Sequence, residues 1–132
     1  MKKIILLGAL FLLVSCTKQS TKLDPIVGKY KCTNEYDYWD LSGTLIHIVK
    51  TDTLTVTKAA DDKIYIDPDY NLTSSESPYS LDGEYSFYYT EGDGIPEVRI
   101  QFFLANDSIT FHSQTGGLGG RSIYTIHGNK IE

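Results

Sequence analysis

Apolar residues along this chain recur at every second position, in short runs separated by Gly, Pro, Asn and Asp. Leu54 and Val56 stand on one face against Thr53, Thr55 and Thr57 on the other, and Ile64 and Ile66 alternate with Lys63, Tyr65 and Asp67. A period of two is what a strand with one buried face requires, and no segment beyond residue 22 carries the 3.6-residue period of an amphipathic helix. Tyr, Thr, Ile, Val and Phe dominate these runs, as suits a pleated, half-buried surface. The four prolines, Pro25, Pro68, Pro78 and Pro96, all fall between apolar runs, where strands allow them. The chain must therefore fold as an all-β domain.

Strands are expected at about 28–36, 44–50, 53–58, 63–67, 84–90, 97–104, 108–113 and 121–127, with a short pairing near Asn71–Thr73. One hairpin can be checked internally. A two-residue turn at Asn106-Asp107 sets Leu104 opposite Ile109, Phe102 opposite Phe111 and Ile100 opposite Ser113. Val98, Ile100, Phe102, Leu104, Ile109 and Phe111 then share one face, so turn chemistry and apolar pattern agree. At Ala59–Asp62 a four-residue loop would put Val56 opposite Tyr65, on the wrong face. A three-residue loop at Ala60-Asp61-Asp62 repairs the parity and predicts a bulge.

The N-terminus reads differently. Lys2-Lys3 precede an apolar run from Ile4 to Val14, the layout of a secretory signal and too short to span a bilayer as a helix. Leu13-Val14-Ser15-Cys16 resembles the lipobox of bacterial lipoproteins. The resemblance implies cleavage before Cys16 and acylation of its thiol, with each buried CH₂ contributing about 0.8 kcal/mol to membrane binding. Residues 1–15 are then the signal, 16–23 the lipidated Cys and a polar tether, and 24–132 the folded domain. Thr17, where some lipoproteins carry an Asp for inner-membrane retention, implies the outer membrane. The absence of acids from Thr17 to Lys22 implies a periplasm-facing anchor.

Loss of Lys2 and Lys3 leaves 10 basic residues against 17 acidic, a net charge of −7. That argues against a nucleic-acid partner. With Cys16 acylated, Cys32 has no partner in the chain. It reads as a small buried hydrophobe on the first strand, without the His neighbour or helix start that would activate it.

Seven or eight antiparallel strands joined by short turns form a meander, and closing it into a small barrel removes two exposed edges. Ile26-Val27-Gly28-Lys29-Tyr30 resembles the Gly-x-Trp entry of lipocalins, with Tyr30 for Trp, and the pattern from Gly28 to Ile131 is similar to lipocalin-like domains of bacterial lipoproteins. The resemblance implies a lipocalin-like barrel with a binding mouth. The domain is shorter than a typical lipocalin and has no flanking helix, so a barrel filled by its own side chains is a nearly equal expectation. A two-sheet sandwich is the alternative architecture.

Candidate sites are few. Glu35-Tyr36-Asp37-Tyr38-Trp39-Asp40 sets aromatic faces beside carboxylates, which suits sugars, but it reads first as a strand end and loop whose aromatics cover the barrel mouth. Asp67-Pro68-Asp69-Tyr70-Asn71 starts like a calcium loop but lacks the Gly and the Glu that should follow, so it reads as a polar turn. His47, His112 and His127 lie on separate strands, with His127 expected near Ser108 and away from His112. They read as exposed strand residues and not as a metal site. Gly116-Gly117-Leu118-Gly119-Gly120 lacks the Lys-Ser/Thr of a phosphate loop and reads as a hairpin connection. No Gly-x-Ser-x-Gly elbow, Cys-x-x-Cys or spaced carboxylate pair is present, so neither catalysis nor a cofactor is indicated.

The expectation is an outer-membrane-anchored, non-catalytic binding module. Its small apolar or amphiphilic ligand would lie in a barrel mouth lined by Tyr30, Trp39, Tyr85, Phe87 and Phe102. The alternative is a protein-interaction module, of inhibitor or immunity type, whose acidic loops at Glu35–Asp40 and Glu91–Asp93 meet a basic partner.

Overall fold

A computed structural model describes residues 22–73, 77–92, 95–117 and 120–132. Cys16 and the whole lipobox-like segment lie outside the described residues, as do Asp93 of the acidic turn and Leu118 and Gly119 of the glycine loop.

Eight strands follow in order: β1 (Gly28–Trp39), β2 (Leu45–Ala60), β3 (Lys63–Asp67), β4 (Tyr79–Ser80), β5 (Ser86–Thr90), β6 (Glu97–Phe103), β7 (Ser108–Gly117) and β8 (Gly120–Lys130), with one 3₁₀ turn at Leu104–Asn106. All are antiparallel in one sheet of order β4-β3-β2-β1-β8-β7-β6-β5. Because β1 pairs with both β2 and β8, the sheet curls into a nearly closed barrel. Its seam lies between β4 and β5, where the Tyr79 and Phe87 rings meet edge to face at 5.0 Å.

The alternation does what the sequence demands of it. Tyr30 and Cys32 of β1, Leu54 and Val56 of β2, Ile64 and Ile66 of β3, Val98, Ile100 and Phe102 of β6, Ile109 and Phe111 of β7 and Ile126 of β8 all point inward and are buried. Leu23 and Ile26, in a turn ahead of β1, seal the end at which β1 begins, and the Tyr30 hydroxyl donates to the Ile26 carbonyl at 2.7 Å. The core beneath them is filled by the protein's own side chains, and a concavity of about 360 Å³ lies outside it, beside Leu23, Leu81 and Tyr85.

Several boundaries differ from expectation. The segments 44–50 and 53–58 are one sixteen-residue strand. The break expected at Thr51-Asp52 is absent because β1 is long enough to pair with the whole strand, with Asn34 opposite Lys50 and Cys32 opposite Asp52, so that Lys50 and Asp52 take inward positions. β1 likewise runs to Trp39, so Glu35–Asp40 is not an acidic loop. Glu35 and Asp37 sit on the outer face of a strand, and Asp40 makes the turn by accepting the backbone N–H groups of Ser42 and Thr44, each at 2.9 Å. The short pairing near Asn71–Thr73 is absent, and Tyr79–Ser80 pairs with Lys63–Ile64 instead. Before β7 the register is offset by two: Phe102 faces Ile109, Ile100 faces Phe111, and Leu104 is exposed in the 3₁₀ turn. A shift of two keeps every other side chain on its expected face. The β2–β3 bulge is present, with Ala59 as the extra residue and Val56 opposite Ile66.

β3 reaches only as far as Thr55, so Leu45–Thr53 of β2 has no strand on its outer side. The Thr53 N–H there turns to the Asp52 carboxylate at 2.7 Å.

Cys32 is buried, as expected, and burial pushes its thiol pKa up. It sits against Gly128 of β8, where a Cβ would lie 2.2 Å from the Cys32 sulfur. Gly128→Ala should therefore cost about 1–3 kcal/mol by overpacking. Cys32→Ala/Gly128→Ala should recover most of that loss. Urea midpoints at constant m-value measure both, and equal losses in the single Gly128→Ala and double variants would show that the glycine is needed for another reason.

Candidate functional site

Beyond the packed region the inward positions change character. Above Cys32 on β1 come Asn34 and Tyr36; above Leu54 on β2 come Asp52, Lys50 and Ile48; beside them on β8 stands Tyr124. Here β1, β2 and β8 run past the filled core, so their inward side chains bound a cavity. The chain leaving β3 at Asp67 crosses this end of the barrel. Leu72 donates its backbone N–H to the Ser113 hydroxyl at 2.8 Å, which ties the crossing to β7 and brings Tyr70 inward.

The result is a cavity of about 320 Å³ lined by Asn34, Tyr36, Ile48, Lys50, Asp52, Tyr70 and Tyr124. Three rings form one wall, with Tyr36 and Tyr124 centroids 4.5 Å apart and Tyr70 and Tyr124 centroids 5.1 Å apart. The Tyr70 hydroxyl donates to the Asp52 carboxylate. That bond, helped by the Thr53 N–H, holds the Asp52 carboxyl below the usual carboxylate range. Burial and then the Asp52 bond push Tyr70 up, opposed by a hydrogen bond from Asn34. Burial, then the neighbouring Tyr36, raises Tyr124. Lys50 makes no ion pair among the described residues.

Asn34 is the exceptional member. It is only 6% exposed, and its side-chain oxygen has no hydrogen-bond partner. A buried acceptor left unmade costs about 1–3 kcal/mol, so it marks a place where a donor is called for.

The aromatics expected to line one mouth are not gathered around one opening. Tyr30 and Phe102 pack edge to face, 5.9 Å apart, inside the filled core. Phe87 lies on Tyr79 at the seam. Tyr85 packs against the core near Leu81, and its backbone carbonyl accepts the Phe102 N–H at 3.1 Å. Trp39 ends β1 on the outer face, opposite Leu45 and Arg121. Parity correctly turns Tyr30, Phe87 and Phe102 inward, but height along the barrel axis decides between core and cavity. The residues that do line the cavity were signalled in the sequence by something else: Asn34, Lys50 and Asp52 are polar at inward positions of otherwise apolar strands.

A second concavity, of about 810 Å³, lies on the outer face of β5 to β8. Its charged groups serve one another: Arg99 bonds Glu97 at 2.7 Å and lies 4.9 Å over the Tyr88 ring. His112 and His127 both line it and are diagonal neighbours, since Thr110 faces His127 and His112 faces Thr125. This corrects the expectation that His127 points away from His112. His112 is half-buried, and burial lowers its pKa. His47 is remote, bonded to Asp37, and no group of three metal-ligating side chains occurs among the described residues. In the calcium-like segment, Asp69 accepts the Tyr79 hydroxyl and the Asn71 N–H, as a polar turn does.

Fold and site together define a small, nearly closed antiparallel barrel whose apolar core lies toward the start of β1 and whose tyrosine-walled cavity lies further along that strand. No family model, curated protein or solved structure matches the chain.

Proposed function

We propose that this protein is a lipid-anchored binding module of the cell envelope, acylated at Cys16 and facing the periplasm from the outer membrane, which holds a small amphiphilic ligand non-catalytically in the cavity of Asn34, Tyr36, Tyr70 and Tyr124. The observation that carries the reading is the buried, unpartnered oxygen of Asn34 at the cavity wall. The rings supply apolar stacking surface and Lys50 and Asp52 supply charge, the mixture that orients a small ligand. Geometry suits the anchor as well. The tether reaches the domain at Leu23, at the sealed end, whereas the cavity lies further along β1 toward the opposite end. A membrane at the sealed end would leave the cavity accessible.

Two measurements test this. Metabolic labelling with a fatty acid should mark the protein, and Cys16→Ala should abolish the label; a labelled Cys16→Ala variant would refute the anchor. Native mass spectrometry of the full-length protein, extracted from its own host in mild detergent, should show a small bound molecule. Asn34→Leu removes the unpaired buried acceptor together with the hydrogen bond that Asn34 makes to Tyr70, two losses of opposite sign, so it should change stability by no more than about 1 kcal/mol while lowering ligand occupancy about tenfold. Unchanged occupancy in that variant, or no bound mass in the parent protein, would sink the assignment of this cavity.

A further inference from the structure

The chemistry of the cavity wall says more about the ligand, given the binding role proposed above. We infer that the pocket is built for a single hydroxyl-rich ring bearing one carboxylate, a molecule of the hexuronic acid class. Size sets the first bound. At a share of about 30 Å³ per water molecule, a cavity of about 320 Å³ replaces roughly ten waters, enough for one substituted six-membered ring, and the exposed Ile48 and Lys50 leave one side open to solvent.

Polar placement sets the second. Asn34 and Lys50 are directly opposed on β1 and β2, which puts their side chains about 5 Å apart at the Cβ atoms. The Asn34 oxygen calls for a donor, and the Lys50 ammonium, exposed where it lines the cavity and in no ion pair among the described residues, favours an anion. A ring with a carboxylate next to a hydroxyl offers both partners. Asp52, one inward position further along β2, is held ionised by Tyr70 and still has lone pairs to accept a second hydroxyl.

The same residues exclude neighbouring classes. A dianion would meet one cation and one carboxylate, a pair with no net charge to offer it. A flat aromatic acid would meet Lys50 and the rings but leave Asn34 without a donor, which costs affinity. A neutral sugar would satisfy Asn34 and Asp52 but gain nothing from the charge of Lys50, which water would go on solvating. The C–H face of a sugar ring would lie on the tyrosine rings.

The test is calorimetric titration of the full-length protein in detergent micelles with D-glucuronate, D-glucose and benzoate, with the tyrosine ring resonances followed by NMR. Glucuronate should bind at least about tenfold more tightly than either of the others and shift the Tyr36, Tyr70 and Tyr124 signals. Lys50→Gln should bring glucuronate down to the level of glucose without changing the thermal midpoint. Glucose or benzoate binding as tightly as glucuronate, or a Lys50→Gln variant that binds glucuronate unchanged, overturns the ligand class while leaving the cavity as the site. Silence from all three probes also overturns the class. The cavity itself is judged separately, by the Asn34→Leu occupancy measured on host-extracted protein.

Discussion

Replacing Tyr79 by Ala lowers the unfolding free energy by about 4 kcal/mol, the largest single-site loss expected in this barrel. The side chain is fully buried, its ring meets Phe87 across the seam, and its hydroxyl donates to both Asp69 oxygens at 2.7 and 2.8 Å. β4 is only two residues long, so few backbone bonds hold it to β3, and the Tyr79–Phe87 contact joins the two ends of the sheet. Tyr79→Phe keeps the ring and loses the hydrogen bond. Because Asp69 is exposed and water can replace the lost donor, that variant should cost only about 1 kcal/mol. Urea unfolding at constant m-value checks both numbers, and a Tyr79→Ala loss below about 2 kcal/mol would mean that the seam is held by other contacts.

Alkaline pH should unfold the protein, and Tyr30 should account for much of the effect. Burial, followed by the negative charge of Asp107, pushes the Tyr30 pKa from 10.0 up to about 12. Only the neutral phenol can donate to the Ile26 carbonyl inside the sealed end. The folded-state pKa lies above the unfolded one, so the unfolded chain loses its proton first. The stability tied to the neutral form is complete below pH 10 and drains away as pH rises from 10 to about 12. At about 1.4 kcal/mol per pH unit, Tyr30 alone removes roughly 2–3 kcal/mol over that range. Tyr79 is raised further still, by burial and then by Asp69, and adds its own loss in the same direction. Thermal midpoints measured from pH 9 to 12 should fall steeply for the parent protein and less steeply for Tyr30→Phe, which is the less stable of the two at pH 8. Parallel curves for the two proteins would show that Tyr30 is not the group responsible.

Much of the barrel was legible in the alternation of Leu54 with Val56, Ile64 with Ile66 and Val98 with Ile100, because a period of two assigns each side chain a face before any partner strand is known. The hairpin before β7 shows how forgiving this signal is. Its loop is two residues longer than Asn106-Asp107 alone, yet Phe102 and Phe111 remain inward, since a shift of two preserves parity. The strand break expected at Thr51-Asp52, beside Lys50, shows where the signal misleads. Polar residues at inward positions resemble a turn to a reader of one strand, whereas a long partner such as β1 holds the strand together and turns those polar groups into the wall of a cavity.

The sequence by itself determined the all-β class, the inward and outward faces of most strands, the burial of Cys32 and the bulge before β3, because these depend on local alternation and turn chemistry. Only the tertiary structure decided which inward residues are core and which line a cavity. Tyr30 and Tyr36 share a face of one strand. One is sealed beneath Leu23 and Ile26, and the other stands beside Tyr124 at the opposite end. That difference is one of height along the barrel axis, set by how far β1, β2 and β8 outrun the shorter β3, β4 and β5 and by where the chain from Asp67 crosses to Ser113. Strand length mismatch and a crossing loop are relations between distant segments, and no local period in the chain encodes them.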